Sequence, residues 1–351
     1  MGNKQASIPG SNNNRLYDVI IVGAGPAGLE CARVLQDSNL SVLILEKNEH
    51  IGPKTCAGGI VDTVEPLNLP EKKARTFNSV TVCLGQRQYE FTTHLSIKII
   101  DREALGRHQA ALLNNAGNVT IKTGTAVRQI APHHVGTTSG DFGYRFLVGA
   151  DGSTSLVRRY LNIDSRYMVG IYYDIDERRD CMIFHLDGTA YKAGYIWEFP
   201  HQKYTNVGFF YNPDQWKPKE AVQILRRFMG RRGYPIDSRT YRAFPINYLY
   251  QGSRFGNTIF LAGDAAGLAS KLTGEGIAYA MISGREIARS IMDSHYDQPK
   301  LREVVTYKKK QDILANVFEK IPFGLNAIYH FHIKALKTGL FRWPKLLHRH
   351  L

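Results

Sequence analysis

Three glycines near the N-terminus have a spacing that suits phosphate binding: Gly23, Gly25 and Gly28 form the turn GAGPAG. In such a turn the first glycine permits a tight bend, the second lets a pyrophosphate approach the backbone, and the third lets helix and strand pack closely. Glu46 lies 18 residues beyond Gly28, where a carboxylate can accept hydrogen bonds from ribose hydroxyls. These residue types at this spacing predict a dinucleotide site.

The elements that such a site requires flank the turn. Residues 17–22, YDVIIV, form a β-branched run of strand length, and residues 40–47, LSVLILEK, form a second apolar run after a segment with helical spacing. The helix N-terminus offers unpaired amides and a partial positive charge to phosphates. Glycine turns also occur for purely structural reasons, but the complete order of strand, turn, helix, strand and acid favours dinucleotide binding. The predicted contacts are Gly23, Gly25, Pro26, Ala27, Gly28, Glu46 and Lys47.

Two later segments repeat the form of an apolar strand followed by a polar turn. They are FLVGADGSTSLVRR at residues 146–159 and GNTIFLAGDAAGLASKLTGEGIAYAM at residues 256–281. With DREALGRHQAAL at residues 101–112, they resemble the para-hydroxybenzoate hydroxylase-like flavoproteins, which include aromatic hydroxylases and geranylgeranyl reductases. The motifs occur in the order typical of that family, and the resemblance implies FAD as the cofactor.

The resemblance also implies roles for three side chains. Asp264 is expected to accept a hydrogen bond from the ribityl chain, Asp151 to hold the strand and turn beneath the cofactor, and Arg102 to lie near the flavin chain or pyrophosphate. The structural alternatives are a turn acid at Asp151, since turns favour aspartate on local grounds, and a surface cation at Arg102.

The physical character of the last segment agrees with this placement. Asp264 follows the apolar run IFLAG, which predicts a carboxylate at the carboxyl edge of a parallel sheet, where open α/β folds bind ligands. Glycines in the following turn allow backbone to pass close to a flat ring. A helix that begins near Ile277 would direct its positive end at the ring. The predicted contacts in this segment are Gly263, Asp264, Gly274, Gly276 and Ile277.

Three stretches favour a reductase over a hydroxylase within the family. The chain reads GDAAG with Gly267 where aromatic hydroxylases usually have histidine, and it continues to GEGI. PKTCAGGI at residues 53–60 and GYIWEFP at residues 194–200 are similar to segments of geranylgeranyl reductases. The resemblance implies that a hydride passes from flavin to one carbon of a prenyl C=C bond while a proton reaches the other. A flavin monooxygenase acting on an aromatic or polyketide-like substrate is the alternative, and a non-enzymatic flavin-binding protein of the membrane surface is the third.

An isolated alkene accepts hydride poorly, so the site must exclude water, hold the bond and supply a proton. Cys56 is the candidate thiol that the resemblance supports, and a small buried packing residue is the alternative. Tyr195, Trp197 and Phe199 alternate with Ile196 and Glu198, so one face of a strand is expected to line a prenyl slot or to form core. Cys56, Tyr195 and Trp197 are the predicted catalytic residues.

The expected fold is α/β, a Rossmann-like FAD-binding domain with an inserted antiparallel β-sheet substrate domain and a C-terminal helical segment. Residues 1–15 are polar and predict a disordered tail. Residues 16–78, 97–165 and 245–295 are assigned to the FAD-binding domain and 79–96 and 166–244 to the substrate domain. Residues 296–351 form the basic helical region.

Composition excludes several other classes. The chain has 351 residues, of which 43% are hydrophobic, so it is expected to fold rather than remain disordered. Its four cysteines are dispersed, which predicts neither a disulfide framework nor a metal site and favours a reducing cytoplasm. The net charge is +14, but no nucleic-acid-binding motif accompanies it, so no nucleic-acid partner is expected.

Half of the charge excess lies near the C-terminus. From residue 297 onward 11 cations and 4 acids give +7, and a helical wheel separates Leu325, Ile328 and His332 from Lys334 and Lys337. Such a helix either lies on an anionic membrane surface or packs on its own protein. The expected substrate is a prenylated lipid or prenyl diphosphate. With a single GxGxxG unit in the sequence, electrons are expected to come from NADPH or reduced ferredoxin that binds transiently.

Overall fold

A computed structural model describes residues 15–61, 66–235, 240–321 and 324–337. The tail predicted for residues 1–15 lies outside these ranges except for Arg15, as do residues 338–351 of the basic region. The strands are β1 (Arg15–Val22), β2 (Val42–Leu45), β3 (Gly59–Val61), β4 (Ala74–Leu84), β5 (Arg87–Ile100), β6 (Val119–Lys122), β7 (Val127–Ala131), β8 (His134–Thr137), β9 (Gly140–Gly149), β10 (Tyr167–Ile175), β11 (Ile183–Leu186), β12 (Tyr195–Pro200), β13 (Thr205–Tyr211), β14 (Arg242–Asn247), β15 (Arg254–Phe255) and β16 (Ile259–Leu261). The helices are α1 (Pro26–Leu35), α2 (Arg102–Ala111), α3 (Leu156–Tyr160), α4 (Pro218–Arg231), α5 (Ile277–Met292), α6 (Pro299–Lys320) and α7 (Leu325–Lys337), with two 3₁₀ turns at Glu71–Lys73 and Gly263–Ala265.

The first sheet has a parallel core in the order β16-β9-β1-β2-β6. Its central strands are continuous apolar runs because helices cover their faces, and the last six residues of β1 are buried or nearly so. Parallel pairing brings the carboxyl ends of β1, β9 and β16 to one edge. The polar turns that begin at Gly23, Asp151 and Asp264 therefore meet there.

The second sheet has the order β14-β10-β13-β12-β11-β4-β5-β3. It is antiparallel, as the sequence predicts, except that β11 pairs with β4 in parallel. Strands β4 and β5 run through residues 79 and 96, so the division of the chain into domains at those positions stays a prediction. The α/β fold class with a second, largely antiparallel sheet and C-terminal helices is confirmed.

Helices cover the two faces of the second sheet differently. On one face α4 packs through Ala221, Leu225 and Met229. On the other, α7 buries Leu325, Tyr329 and Ile333 against β4 and its neighbours. This buried stripe differs from the face that the helical wheel predicts, because Ile328 is only half-buried and His332 is exposed.

Helix α6 joins the two parts of the molecule. Its first half packs into the core beside the first sheet through Leu301, Val304 and Tyr307, and Phe318 near its end contacts the second sheet's core. The helix therefore covers the space between the two sheets.

Close packing of α1 on α5 gives a test of the fold. A Cβ atom at Gly284 would lie 2.1 Å from the carbonyl oxygen of Ala27, so Gly284→Ala must push the helices apart. We expect a loss of about 1–3 kcal/mol in the free energy of unfolding, as for other overpacked sites. Chemical denaturation measures it. Gly117→Ala is the matched control, since nothing lies within 4 Å of its added Cβ, and an equal loss in both variants would contradict the packing.

Candidate functional site

One cavity of about 1160 Å³ extends from the first glycine turn to the aromatic face of the second sheet. This volume exceeds the ~300–1000 Å³ typical of a site for one small ligand. The two ends differ in chemistry. Glycine turns and charged groups line one end, and apolar side chains from β4, β5, β11, β12, α6 and α7 line the other.

The three glycines of the first turn have different surroundings. A Cβ atom at Gly28 would lie 2.1 Å from the carbonyl oxygen of Gly23, and one at Gly23 would lie 2.5 Å from that of Ala150. A Cβ atom at Gly25 would have its nearest neighbour 3.9 Å away, and Gly25 borders the cavity. Gly25 is therefore the position where a ligand can approach bare backbone, and the other two hold the turn against the sheet.

The helix that follows presents its N-terminus to the cavity. Gly25 occupies the N-cap of α1 and offers no side-chain cap, and Pro26 and Ala27 line the cavity. The amides of the first turn therefore lack a capping side chain and are suited to an anion.

Glu46 lies at the end of β2 beside this turn. Its carboxylate accepts hydrogen bonds from the backbone N–H groups of Ala24 at 2.8 Å and Asn48 at 2.9 Å. The side chain is buried and borders the cavity, and Lys47 next to it is exposed on the cavity wall. The two bonds fix the orientation of the carboxylate.

Asp151 and Arg102 each leave a buried polar atom without a hydrogen-bond partner among the described residues. Asp151 Oδ2 accepts the N–H of Leu156 at 2.6 Å, but Oδ1 has no partner, and burial raises the pKa of the carboxyl. Arg102 Nε is also unpaired, and both side chains border the cavity. Buried polar groups are normally hydrogen-bonded, so this pattern fits a polar ligand in the cavity.

Asp264 lies at the carboxyl end of β16. Its Oδ2 accepts hydrogen bonds from Lys54 Nζ and Ser153 Oγ, each at 3.1 Å. Lys54 comes from the segment that contains Cys56 and is not among the site residues predicted from the sequence. A cation bound to an acid so far away along the chain has no local sequence signal, and only the folded chain brings the two together.

The glycine turn before α5 lies against the second sheet. Gly274 has a φ of 68°, and a Cβ atom there would lie 2.8 Å from the ring of Phe210. Gly276 is the N-cap of α5, again without a side-chain cap, and Ile277 and Gly263 also border the cavity. The turn therefore presents bare backbone between Asp264 and the aromatic face.

The aromatic face consists of Tyr195, Trp197 and Phe199 on β12. All three border the cavity, whereas Ile196 packs on the opposite side of the sheet. Trp197 Nε1 donates to Asn206 Oδ1 at 2.7 Å, and Gly208 leaves room for its ring, since a Cβ atom there would lie 2.1 Å from it. The indole is therefore held in one orientation.

Cys56 lies half-buried on the cavity wall between the two ends. Its backbone N–H donates to Tyr172 Oη at 3.3 Å, and its Sγ accepts the N–H of Gly58 at 3.4 Å. The structure thus brings the predicted catalytic residues, and the predicted cofactor-binding residues other than Gly28, to the wall of one cavity, while their roles stay predictions.

Sequence reasoning missed the apolar end contributed by α6 and α7 and an acid within it. Glu275 stands between Gly274 and Gly276 and borders the cavity together with Tyr307 and Gln311 of α6. Its signal in the sequence is an acid inside a glycine turn that is followed by an apolar helix. The sequence analysis used the glycines of that turn and passed over the acid between them.

Comparisons with known proteins agree with this geometry. Residues 119–315 match the model of a family described as FAD binding domain, and residues 11–77 match that of the Thi4 family. A digeranylgeranylglycerophospholipid reductase of Methanocella arvoryzae is 29% identical over 77% of this chain and 76% of its own length.

Solved structures show the same fold. A geranylgeranyl bacteriochlorophyll reductase-like protein from Thermoplasma acidophilum has a TM-score of 0.78 at 19% identity and covers 95% of this chain and 98% of its own. A probable FAD-dependent monooxygenase from Pseudomonas aeruginosa has a TM-score of 0.64 at 17% identity and covers 91% of this chain and 99% of its own. The uncapped amides, the open face of Gly25 and the unpaired buried polar atoms fit FAD.

Glu46 gives a test of the cofactor end. We expect Glu46→Ala to weaken FAD binding by about tenfold to hundredfold, because a hydrogen bond to a charged group is worth about 1.5–3 kcal/mol. Quenching of flavin fluorescence on titration into cofactor-free protein measures the affinity. Glu49→Ala is the control, since Glu49 is exposed on the same loop. Unchanged affinity in Glu46→Ala would remove this carboxylate from the site.

Proposed function

This chain belongs to the FAD-binding domain family, and from that premise we propose that it is a reductase that saturates the C=C bonds of a prenyl chain. The reduced cofactor supplies the hydride equivalent for such a reaction. The residues proposed to hold the cofactor are Gly23, Gly25, Pro26, Ala27, Gly28, Glu46, Lys47, Arg102, Asp151, Gly263, Asp264, Gly274, Gly276 and Ile277.

The observation that carries the proposal is the chemistry of the cavity's second end. Apolar side chains of the second sheet and of α6 line this end, namely Val82, Phe184, Trp197, Phe199 and Leu314. A branched hydrocarbon chain gains about 25 cal/mol for each Å² of apolar surface that it buries there. The same wall excludes water from an alkene that is a poor hydride acceptor.

The glycine turn at Gly274 and the aromatic face at Phe210 set the place where cofactor and chain would meet. Gly274 packs against the ring of Phe210, and both border the same cavity as Cys56. The names of relatives such as the M. arvoryzae reductase support a prenylated lipid as the substrate. A prenyl diphosphate offers the same hydrocarbon.

A flavin monooxygenase is the alternative, and the P. aeruginosa structure has the same fold. Likeness at 17% identity supports the fold alone, since one fold carries many reactions. The long apolar end of the cavity favours a hydrocarbon chain over a small aromatic acid. The alternative predicts oxygen in the product, which distinguishes it.

We further propose that NADPH or a reduced ferredoxin reduces the cofactor from outside. The chain has a single GxGxxG unit, which the cofactor of the first sheet would occupy. A donor that binds only transiently does not need a second site of this kind.

The reductase proposal predicts the product of an anaerobic reaction. Protein loaded with FAD and reduced by dithionite is incubated with geranylgeranyl diphosphate or a digeranylgeranyl glycerophospholipid, and mass spectrometry follows the lipid. We expect the mass of one H₂ to be gained for each bond reduced. Products that gain oxygen in air, with none reduced without air, would contradict the proposal.

Filling the apolar end of the cavity with a larger side chain gives a second test in the same assay. Leu314→Trp adds bulk at a half-buried position on the cavity wall and is expected to lower the reduction rate. Thr306→Trp adds the same bulk at an exposed position of α6 and is expected to leave the rate unchanged. Equal rates in both variants would place the substrate elsewhere.

We propose that the outer face of α6 and α7 contacts an anionic membrane surface, from which a lipid substrate enters. Ile313, Val317 and Phe331 are exposed there, and Lys309, Lys310 and Lys320 are exposed on the same helix α6. Each cation near an anionic surface contributes about 1 kcal/mol. Among the helices that the structure describes, none is long and apolar enough to cross a membrane.

Vesicle sedimentation tests this contact. We expect the protein to bind vesicles of phosphatidylglycerol more strongly than those of phosphatidylcholine, and Val317→Ser with Phe331→Ser to weaken that binding. Leu112→Ser is the control, because Leu112 is an exposed apolar residue at the end of α2. Binding that the paired substitution leaves unchanged would contradict the proposal.

A further inference from the structure

The apolar end of the cavity contains a small group of polar side chains. Glu275 lies at its centre, in the turn before α5, and Tyr307 and Gln311 reach it from α6. Tyr279 Oη donates a hydrogen bond to Glu275 Oε1 and lies 3.4 Å from Gln311 Oε1, and Gln311 Nε2 donates to Tyr307 Oη at 3.2 Å. A connected polar group of this kind is unusual in a hydrocarbon site and calls for a function.

Glu275 is placed where the two ends of the cavity meet. Its neighbours Gly274 and Gly276 lie against Phe210 and Asp264 respectively. Two residues before it, the carbonyl oxygen of Thr273 accepts a hydrogen bond from Tyr195 Oη. The carboxyl group therefore lies on the cavity wall, bonded to Tyr279 of α5 and Gln311 of α6 and within electrostatic reach of Tyr195 on the aromatic face.

We propose that Glu275 is the acid that protonates one alkene carbon during the reduction, an inference that rests on the proposed reductase function. In this step three bonds break, namely the O–H bond of the Glu275 carboxyl, the π bond of the alkene and the bond that holds the transferred hydrogen on the reduced cofactor, and two C–H bonds form. The alkene is reduced by the two electrons that the cofactor loses. The proton comes from Glu275, and the hydride equivalent comes from the reduced cofactor of the proposed function. Glu275 is left as a carboxylate that takes up a proton before the next turnover.

Burial favours the acid form of this carboxyl, whereas the hydrogen bonds from Tyr279 and Gln311 act against it. Desolvation in the cavity raises the pKa of Glu275, so the acid form persists to higher pH than that of an exposed glutamate. The titratable groups that face it are Tyr195 of β12, Tyr279 of α5 and Tyr307 of α6. Burial raises the pKa of each phenol, and the charge that Glu275 carries once it has given up its proton raises it further. These groups therefore stay neutral hydrogen-bond donors around the acid.

Tyr279 acts as a positioning residue in this arrangement. Because its hydroxyl donates to Oε1 of Glu275, the other carboxyl oxygen is left to carry the acidic proton. Cys56, the candidate from the sequence, lies on the same cavity wall, but its sulfur accepts the N–H of Gly58. A thiol is also a weak hydrogen-bond donor, which makes Glu275 the better placed acid.

Glu275→Gln tests the proposal by keeping the size of the side chain and removing its acidic proton. In a single turnover of the reduced, FAD-loaded protein we expect the rate of alkene reduction to fall by about 10²-fold or more, as for loss of a general acid. Glu275→Asp, which retains a carboxyl, should recover part of the rate. Glu303→Gln on the surface of α6 is the control and should retain the full rate.

Infrared difference spectroscopy supplies a readout that does not depend on turnover. We expect a band from a protonated carboxylic acid at neutral pH that disappears as pH rises and is absent from Glu275→Gln. The rate of the wild-type protein should fall over the same pH range. Thermal unfolding and flavin absorbance verify that each variant is folded and loaded.

The outcomes separate the two proposals. If the wild-type protein reduces the prenyl lipid and Glu275→Gln does so at the same rate, Glu275 is not the acid while the reductase function stands. Loss of the rate in Cys56→Ala alone would assign the proton to the thiol and overturn the inference. A carboxylate band for Glu275 at neutral pH would also overturn it. If the wild-type protein reduces no prenyl substrate, the proposed function fails, and the inference fails with it.

Discussion

The site depends on one constraint, the contact between the Gly274 turn of the first sheet's domain and the Phe210 ring of the second sheet. A Cβ atom at Gly274 would lie 2.8 Å from that ring, so only glycine permits the approach at a φ of 68°. The contact places the Gly274 turn beside the aromatic face of β12, and the turns that follow β1, β9 and β16 border the same cavity. A single cavity with one polar and one apolar end follows from it.

An ion pair and hydrogen bonds connect α6 to the Gly274 turn and to Tyr248. Lys271, just before the turn, donates to Asn316 Oδ1 and Glu319 Oε2 of α6, each at 2.6 Å. Lys308 of α6 donates to the carbonyl oxygen of Tyr248 at 2.6 Å. Helix α6 and the turn are therefore fixed to each other.

Local patterns predicted the fold class and the position of the polar turns, since β1, α1, β2 and α5 each carry their own hydrophobic spacing and glycine signals. The FAD-binding assignment followed from those signals and is confirmed by the family match. The parallel pairing of β11 with β4 and the place of β3 in the second sheet have no local signal. Lys54 was missed for the same reason, because its partner Asp264 comes from a distant part of the chain. Glu275 has a local signal as the acid between two glycines, but its contact with Gln311 of α6 exists only in the folded chain. The roles of the individual site residues stay predictions.

In the proposed arrangement, cofactor and prenyl chain share one cavity and meet at the Gly274 turn. A crystal structure of the protein with FAD and a saturated geranylgeranyl lipid would show both ligands in place. We expect the flavin ring beside Gly274 and Gly276 and the hydrocarbon between Trp197 and α6, within contact of Glu275. Lipid density on the opposite face of β12, beside Ile196, or confined to the outside of α7 would contradict this arrangement.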